Sequence, residues 1–230
     1  MALKEDLASE VTRVFRERWK TTNGTVVPES EDLILGNEAK VIGGTVLYAD
    51  LSGSTKIVEG YKRHFAAEVY KSYLHCAAKL IREESGTVTA YDGDRVMGVF
   101  IGSFKNTSAV RCGLKINWVV KNIINPAIKV QYPNSSFQLR QIVGIDTSQM
   151  WVARTGVRGA NDLVWVGRAA NYAAKLNDLD ASYPTWITDS VYNNMNQAVK
   201  VTNGQEMWEA RTWIAMSSMT IYRSTWWWSV

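Results

Sequence analysis

One apolar run restricts the fold more than any other feature of the chain, and it spans residues 44–51 (GTVLYADL). A run this apolar and rich in β-branched residues predicts a strand that is buried on both faces, as in sheets covered by helices. A polar turn follows at residues 52–55 (SGST). The pattern after it predicts a long helix from about Thr55 to Glu84, ended by Gly86 as a C-cap. A buried strand, a short turn and a long helix together indicate a layered α/β arrangement.

The rest of the chain continues this alternation. A helical spacing of apolar residues predicts a first helix over 3–19, and a DG pair between β-rich runs predicts a hairpin whose turn is Asp92-Gly93-Asp94. Further predicted elements are a helix at 106–128 stopped near Pro126 and Pro133, strands at 137–146, 150–157 and 163–166, a helix at 168–179, and a short helix or strand–helix at 186–195. The β-α-β-β-α-β order predicts an α/β (α+β) sandwich of the ferredoxin-like kind with extra terminal elements.

Three segments are expected from this pattern. Residues 1–40 are predicted to be an N-terminal helix and linker, residues 41–200 the α/β domain, and residues 201–230 a Trp-rich C-terminal part made of strands and a tail. Three successive tryptophans, 226–228, cannot all face one way on a strand. The tail therefore either packs on the domain or a dimer, or forms an interface or membrane-surface contact.

Composition narrows the range of partners. The net charge of +4 is too small to indicate duplex nucleic acid, and it suits a small anionic substrate. The N-terminus carries charges where a signal peptide would be apolar, and no apolar run approaches the ~18 residues of a membrane span. Cys76 and Cys112 have apolar neighbours and are expected to be buried free thiols. We therefore expect a cytoplasmic protein without a nucleic-acid partner or stable membrane insertion.

Two aspartates carry the predicted chemistry. Asp50 lies near the end of the buried strand, before a turn and helix start whose backbone N–H groups can hold phosphate oxygens. Ser52, Gly53, Ser54 and Thr55 form that turn. If the hairpin lies beside the strand, Asp94 faces Asp50, and two close carboxylates repel unless cations lie between them. Mg²⁺ or Mn²⁺ suits carboxylate and phosphate oxygens, so we predict two metals that can clamp the attacking and leaving oxygens of an in-line displacement.

Four segments resemble the class III adenylate and guanylate cyclases, in the order of that family. Residues 48–55 (YADLSGST) resemble its F-x-D-I-x-G-F-T motif, and residues 93–97 (GDRVM) resemble its second metal motif. Residues 143–147 (VGIDT) resemble its V-G-I-H-T-G strand, and residues 165–176 (WVGRAANYAAKL) its W-G-x-x-V-N-x-A-A-R-L segment. The resemblance covers about Thr45 to Asn194.

This resemblance implies a homodimer with composite active sites. Asp50, the backbone carbonyl of Leu51, and Asp94 would hold two metals on one subunit. The partner would supply the base-reading residues and Asn171, which orients the ribose. Lys175 stands where the family has an arginine. Asn171 and Lys175 are four residues apart, so one face of a helix presents both. Arg140 is a further candidate for contacting phosphate.

The base-reading positions depart from both purine signatures. Ala90 and Val164 stand where the family has hydrogen-bonding side chains, and neither can bond to a purine edge. Tyr48 and Trp165 are candidate pocket residues. The chain thus resembles the bacterial pyrimidine cyclases of antiphage defence, which implies UTP, or less favoured CTP, as substrate and a cyclic-nucleotide-activated effector downstream. A purine cyclase with a relaxed pocket and a catalytically silent nucleotide-binding module remain alternatives.

Overall fold

The computed structural model describes residues 2–230 and divides them into two compact units. The smaller unit comprises residues 2–43 and 149–167, and the larger unit comprises residues 44–148 and 168–230. The domain boundaries expected at 40 and 200 stay a prediction.

Residues 2–230 contain seven α-helices and eleven β-strands. The helices are α1 (Leu3–Arg16), α2 (Ser54–Gly60), α3 (Arg63–Glu83), α4 (Lys105–Val119), α5 (Asn125–Gln131), α6 (Arg168–Leu176) and α7 (Asp189–Asn194). The strands are β1 (Lys20–Asn23), β2 (Glu38–Leu51), β3 (Thr87–Asp92), β4 (Arg95–Phe100), β5 (Gln141–Val157), β6 (Ala160–Val166), β7 (Thr185–Thr188), β8 (Val201–Thr202), β9 (Gln205–Glu206), β10 (Glu209–Trp213) and β11 (Met219–Ser224).

A sheet with the strand order β10-β11-β7-β5-β2-β4-β3 forms the centre of the larger unit. The four strands β5-β2-β4-β3 and the helices between them have the predicted βαββαβ order, and β4 is antiparallel to both β2 and β3. Strands and helices bury one shared apolar core, which includes Leu47, Val96, Phe65, Ile81, Leu114 and Ile145. The predicted α/β sandwich is confirmed.

The helix predicted from Thr55 to Glu84 is interrupted. α2 ends at Gly60, and α3 begins at Arg63 after two residues in extended conformation. Glycine weakens a helix, and Tyr61 leaves the helical path so that its ring stacks on Phe65, with centroids 4.9 Å apart. The break lets a short helix follow the polar turn directly while α3 covers the sheet.

Gly86 is needed for close packing rather than as a left-handed cap. The positive φ at the end of α3 belongs to Ser85 (φ 64°). A Cβ atom on Gly86 would lie 2.6 Å from the ring of Phe100, so no larger residue fits there without displacing the ring. The prediction that Gly86 is the C-cap was therefore wrong. Ser85 has the left-handed conformation, and Gly86 is needed for packing against Phe100.

The helix predicted at 106–128, with a stop near Pro126 and Pro133, continues past Pro126 and ends at Gln131, before Pro133. A π-helical turn, Val120–Ile124, joins α4 to α5, and Pro126 lies in the first turn of α5. The Asn125 N–H donates to the Val120 carbonyl, five residues earlier, and Pro126 follows where the hydrogen-bond register changes, so its missing N–H is tolerated. The π turn resets the hydrogen bonding, so the proline begins a helix instead of ending one.

The two strands predicted at 137–146 and 150–157 are one continuous strand, β5. The polar side chains of the residues between the two predicted strands form hydrogen bonds. Thr147 Oγ1 donates to the Gly44 carbonyl at 3.2 Å, and Ser148 Oγ accepts from the Ala169 N–H at 2.9 Å. Because these hydrogen bonds satisfy the polar groups, the backbone stays extended.

In the smaller unit, β1 pairs in parallel with the first half of β2, and the second half of β5 pairs with β6. α1 forms as predicted, and none of its residues is buried. The amide of Asn37 donates to the carbonyls of Val14 (2.7 Å) and Glu17 (2.9 Å), which fixes the C-terminal end of α1. Its apolar side chains, Leu3, Leu7, Val11, Val14 and Phe15, remain exposed.

The C-terminal residues of the larger unit end in an irregular tail after β11. Asn117 donates to the Trp226 carbonyl at 2.9 Å, and the Trp228 N–H donates to the Leu114 carbonyl at 3.1 Å. Trp226 and Trp228 pack on the core, whereas Trp227 is exposed. The three tryptophans thus face different ways, as the sequence predicted.

Candidate active site

Strand pairing brings the two candidate metal-binding residues together. Asp50 on β2 lies opposite Arg95 on β4, and Asp94 is the residue before Arg95. The Leu51 N–H donates to the Asp94 carbonyl at 3.4 Å. The hairpin therefore lies beside the strand, as the sequence argument required, and the backbone of Leu51 is part of the same corner.

The carboxylate of Asp50 has an unusual environment. Its Oδ1 is buried and has no hydrogen-bond partner among the described residues. Burial, followed by the negative charge of Asp94, raises the pKa of Asp50 to about 6, and Asp178 acts in the same direction. Arg95 acts in the opposite direction and does not cancel them. A buried carboxylate oxygen without a donor is what a bound cation would satisfy.

The available ligands fit a hard divalent metal. Among residues 2–230, no group of three or more His, Cys, Asp and Glu side chains is placed to hold a metal ion. Mg²⁺ commonly uses only one or two carboxylates and completes its shell with substrate phosphates and water. Asp50, Asp94 and the Leu51 carbonyl are therefore suitable ligands for metals that arrive with a triphosphate. Their role as ligands stays a prediction.

The predicted phosphate turn forms directly after Asp50. Gly53 has a positive φ of 75° and caps α2, so a residue with a side chain would be strained there. Ser54 and Thr55 are the first residues of α2, where backbone N–H groups have no intrahelical acceptor. The Ser52 N–H instead donates to the Arg140 carbonyl at 3.0 Å. Ser52 therefore connects the turn to β5 through its amide.

The side chain of Arg140 is exposed beside Ser182. Its Nη2 lies 3.3 Å from Ser182 Oγ, and its charge helps to lower the pKa of Asp180. The backbone of Arg140 contacts the phosphate turn, whereas no hydrogen bond from its guanidinium to that turn is present in residues 2–230.

Asn171 and Lys175 lie on the exposed face of α6. Lys175 Nζ lies 3.9 Å from the sulfur of Met216. Within the described part of the chain, neither side chain forms a hydrogen bond or ion pair with Asp50 or Asp94. Both are therefore free to act on another molecule, as the composite-site expectation requires.

Two candidate base-pocket residues share a face of the sheet with Asp50. Tyr48 and Ala90 both lie opposite Met97, so the three form one row across β2, β4 and β3. Side chains two residues apart on a strand point the same way, which places Tyr48 on the face of Asp50. The Arg95 guanidinium lies 5.5 Å from the centroid of the Tyr48 ring, and burial raises the pKa of Tyr48.

The other two candidates belong to the smaller unit. Val164 pairs with Ala153 and Trp165 pairs with Val152, where β6 meets β5. Val164 is exposed and Trp165 is partly buried. Their roles at a base stay predictions.

Two charged residues near Asp50 were not singled out from the sequence. Arg95 contacts Asp92 through Nε at 3.1 Å and faces Asp50 across the strands. Asp178, just beyond the end of α6, influences the Asp50 carboxylate. Arg95 could have been noticed because it follows Asp94 directly, but nothing in the sequence places Asp178 near a residue 128 positions earlier.

Known proteins match the chain along its whole length. No protein-family model matches it. Two proteins described as uridylate cyclase, from Xanthomonas perforans and Burkholderia cepacia, are each 53% identical, and each alignment covers 100% of both chains. A uridylate cyclase from Rhodovulum sp. is 38% identical and covers 99% of this chain and 98% of its own length. The chain belongs to the uridylate cyclase family. Membership of this family makes the protein a nucleotide cyclase.

Solved structures agree with this family at the level of fold. The adenylyl cyclase CyaB from P. aeruginosa has a TM-score of 0.69 at 22% identity, covering 81% of this chain and 95% of that one. The guanylyl cyclase Cya2 also has a TM-score of 0.69, at 19% identity, covering 81% and 93%. The uridylate cyclase family member described here thus has the fold of a class III cyclase catalytic domain.

Proposed function

We propose that this nucleotide cyclase converts UTP to the 3′,5′-cyclic monophosphate and pyrophosphate, with CTP as a poorer substrate. The observation that carries the proposal is the full-length likeness, at 53% identity, to two uridylate cyclases. In the reaction the ribose 3′-OH loses its proton to solvent and attacks the α-phosphorus, a new P–O bond closes the ring, and pyrophosphate leaves with the electrons of the broken P–O bond.

Asp50, Asp94 and the Leu51 carbonyl are proposed to hold two Mg²⁺ or Mn²⁺ ions. When bound, such ions lower the pKa of an attacking hydroxyl and neutralise charge on the triphosphate. The unpartnered Oδ1 of Asp50 supports this assignment. Ser52, Gly53, Ser54 and Thr55 would orient the phosphate chain from the start of α2, and Arg140 would supply positive charge nearby.

Asn171 and Lys175 are proposed to complete the site of a partner subunit in a homodimer. Asn171 would orient the ribose. Lys175 would stabilise charge on the α-phosphate with a single ammonium group, whereas an arginine could donate two parallel hydrogen bonds. The exposure of both side chains supports this arrangement. So does the exposed apolar face of α1 in the smaller unit, because contiguous apolar surface commonly marks an interface.

A small base is proposed to lie against the row that contains Tyr48 and Ala90. Ala90 has no polar side-chain atom, and the half-buried ring of Tyr48 occupies space on the face that carries Asp50. A purine edge facing Ala90 would find no hydrogen-bonding side chain at that position, at a cost of ~1–3 kcal/mol per unsatisfied group. Val164 and Trp165, on β6 of the smaller unit, stay predicted base-pocket residues.

The cyclic product is proposed to serve as a second messenger that activates a separate effector in antiphage defence, in the cytoplasm. This proposal rests on the family alone. In residues 2–230, no helix combines the length and apolar character that crossing a membrane would need.

The direct test is product analysis with purified protein, Mn²⁺ and UTP. We expect mass spectrometry to detect 3′,5′-cyclic UMP and an equimolar amount of pyrophosphate. Asp50→Ala and Asp94→Ala should each abolish the product while the protein stays folded by circular dichroism. Binding of UTP without turnover would instead indicate a silent nucleotide-binding module and would overturn the proposal.

A further inference from the structure

A buried ion pair anchors the start of α6. Asp146 on β5 is fully buried, with 0% exposure, and its carboxylate accepts two hydrogen bonds from Arg168, the first residue of α6. Arg168 Nε lies 3.0 Å from Oδ2, and Nη2 lies 3.2 Å from Oδ1. Thr188 adds a hydrogen bond of 2.5 Å to Oδ1. Both oxygens of Asp146 are therefore satisfied.

The guanidinium of Arg168 also contacts two other elements. Its Nη2 donates to the Thr147 carbonyl and to Ser190 Oγ, both at 2.8 Å. Its Cζ lies 5.6 Å from the ring centroid of Tyr172, one turn along the same helix. One side chain thus ties α6 to β5 and α7 and also lies against its own helix.

Two more contacts fix the rest of α6 on the strand. The Ala169 N–H donates to Ser148 Oγ at 2.9 Å. Gly144 lies under the middle of the helix, where a Cβ would be 2.1 Å from the Ala173 carbonyl oxygen. Close packing at Gly144 sets the distance between α6 and the sheet. The two hydrogen bonds from Arg168 to Asp146 set the rotation of α6 about its own axis.

Stability alone is a weak reason for such a pair. A buried ion pair often contributes no more stability than apolar residues of similar volume, because both charges must lose water. The two parallel hydrogen bonds between Arg168 and Asp146 instead fix the orientation of the Arg168 side chain, because a planar guanidinium binds a carboxylate in few orientations. Rotating the helix by one residue turns it by ~100°, which would carry Asn171 and Lys175 away from any ligand they serve.

We propose that Asp146 and Arg168 are positioning residues that orient α6, so that Asn171 and Lys175 act on the nucleotide held by Asp50 and Asp94 of the partner subunit. This inference rests on the composite site proposed above. The pair does not touch the substrate. Its effect reaches the reaction only through the rotation of α6.

The first test compares kinetics with stability. In the double variant Asp146→Leu/Arg168→Met both charges are removed, so no unpaired buried charge remains, and we expect the melting temperature to stay within a few degrees. We expect kcat to fall by at least tenfold while KM for UTP changes by less than threefold, because metal and triphosphate binding belong to other residues. The exposed Arg82→Met variant on α3 is the matched control and should keep wild-type kinetics.

The second test assigns the pair to one half of the composite site by mixing inactive variants. In a two-fold dimer that combines an Asp50 variant with an α6 variant, both defects fall in one site and the other site is intact. Random exchange makes about half of the dimers mixed, so roughly a quarter of wild-type activity should return. We expect the double variant to recover activity with Asp50→Ala. A mixture of the double variant with Asn171→Ala should show no more activity than the two proteins show when assayed separately and added together.

The control mixture is Asp50→Ala with Asn171→Ala. If that mixture stays inactive, the composite site itself is wrong. If it recovers and the double variant does not recover with Asp50→Ala, the positioning role is wrong while the composite site stands. Wild-type kcat in the double variant would also overturn the positioning role. If neither the double variant nor Arg168→Lys folds, the pair is needed for the fold itself, and the positioning role is again wrong.

Discussion

At the scale of single residues, hydrogen-bond partners distinguish two aspartate carboxylates of the central sheet. Asp50 is half-buried, with one oxygen lacking a hydrogen bond, whereas Asp146 is fully buried and satisfied by Arg168 and Thr188. The first arrangement suits a cation that comes with a substrate, and the second suits a fixed structural role. The same residue type thus serves two purposes on one sheet because its neighbours differ.

The raised pKa of Asp50 predicts a pH dependence of stability in metal-free protein. The folded carboxyl holds its proton up to pH about 6, whereas the unfolded one releases it near the ordinary value of 3.8. Protonation therefore favours the folded state, and this group's contribution grows as the pH falls from above 6 towards 4. Urea unfolding of EDTA-treated protein should show that wild type, relative to Asp50→Asn, gains stability between pH 7 and pH 5. An equal difference at both pH values would contradict the raised pKa.

Lys175 predicts a graded response to substitution. Lys175→Ala removes the charge proposed to act on the α-phosphate, and we expect kcat to fall by ~10²–10³, the effect of losing one stabilising donor. Lys175→Arg keeps the charge and should retain activity within tenfold. Steady-state kinetics with UTP and Mn²⁺ measure both. Near-normal kcat in Lys175→Ala would assign the role to another residue.

How far the sequence predicts the site depends on the separation of the residues. Asp50 and Asp94 could be placed together because a strand and a hairpin in a βαββαβ fold are neighbours. The influence of Asp178 on Asp50, and the contact between Asp146 and Arg168, could not be predicted. Those contacts depend on how α6 packs on β5, which local pattern does not encode.

At the scale of elements, polar partners and close packing explain where prediction failed. The two strands predicted at 137–146 and 150–157 are one strand because Thr147 and Ser148 form hydrogen bonds while the backbone stays extended. The break between α2 and α3 came from a glycine and an aromatic contact that helical periodicity does not detect. Element order was predictable, whereas these boundaries depended on tertiary contacts.

Gly144 tests the packing of α6 at this scale. We expect Gly144→Ala to lower the free energy of unfolding by at least ~1–3 kcal/mol, because the added Cβ would meet the Ala173 carbonyl oxygen at 2.1 Å. Gly43→Ala is the matched strand control, since a Cβ there has nothing within 4 Å, and it should not destabilise the protein. Chemical denaturation compares the two. Similar unfolding midpoints for both variants would mean that α6 does not pack against β5 at Gly144.

At the scale of the whole molecule, the proposed homodimer predicts a role for the exposed face of α1. Leu7 and Val11 lie four residues apart and are 56% and 55% exposed. Leu7→Asp/Val11→Asp should shift the mass measured by analytical ultracentrifugation from dimer towards monomer and lower activity at dilute protein. Ser9→Asp, on the opposite side of the same helix, is the control and should stay dimeric. A wild-type chain that is monomeric at micromolar concentration would contradict the composite site.

The proposed substrate of the chain is a pyrimidine triphosphate. The most direct test is to compare kcat/KM for UTP, CTP, ATP and GTP under one condition with Mn²⁺. Ala90 has no side-chain atom that can form a hydrogen bond to a purine edge, so we expect UTP to exceed both purines by at least about tenfold and to exceed CTP. A preference for ATP or GTP, or no cyclic product from any of the four, would contradict the account.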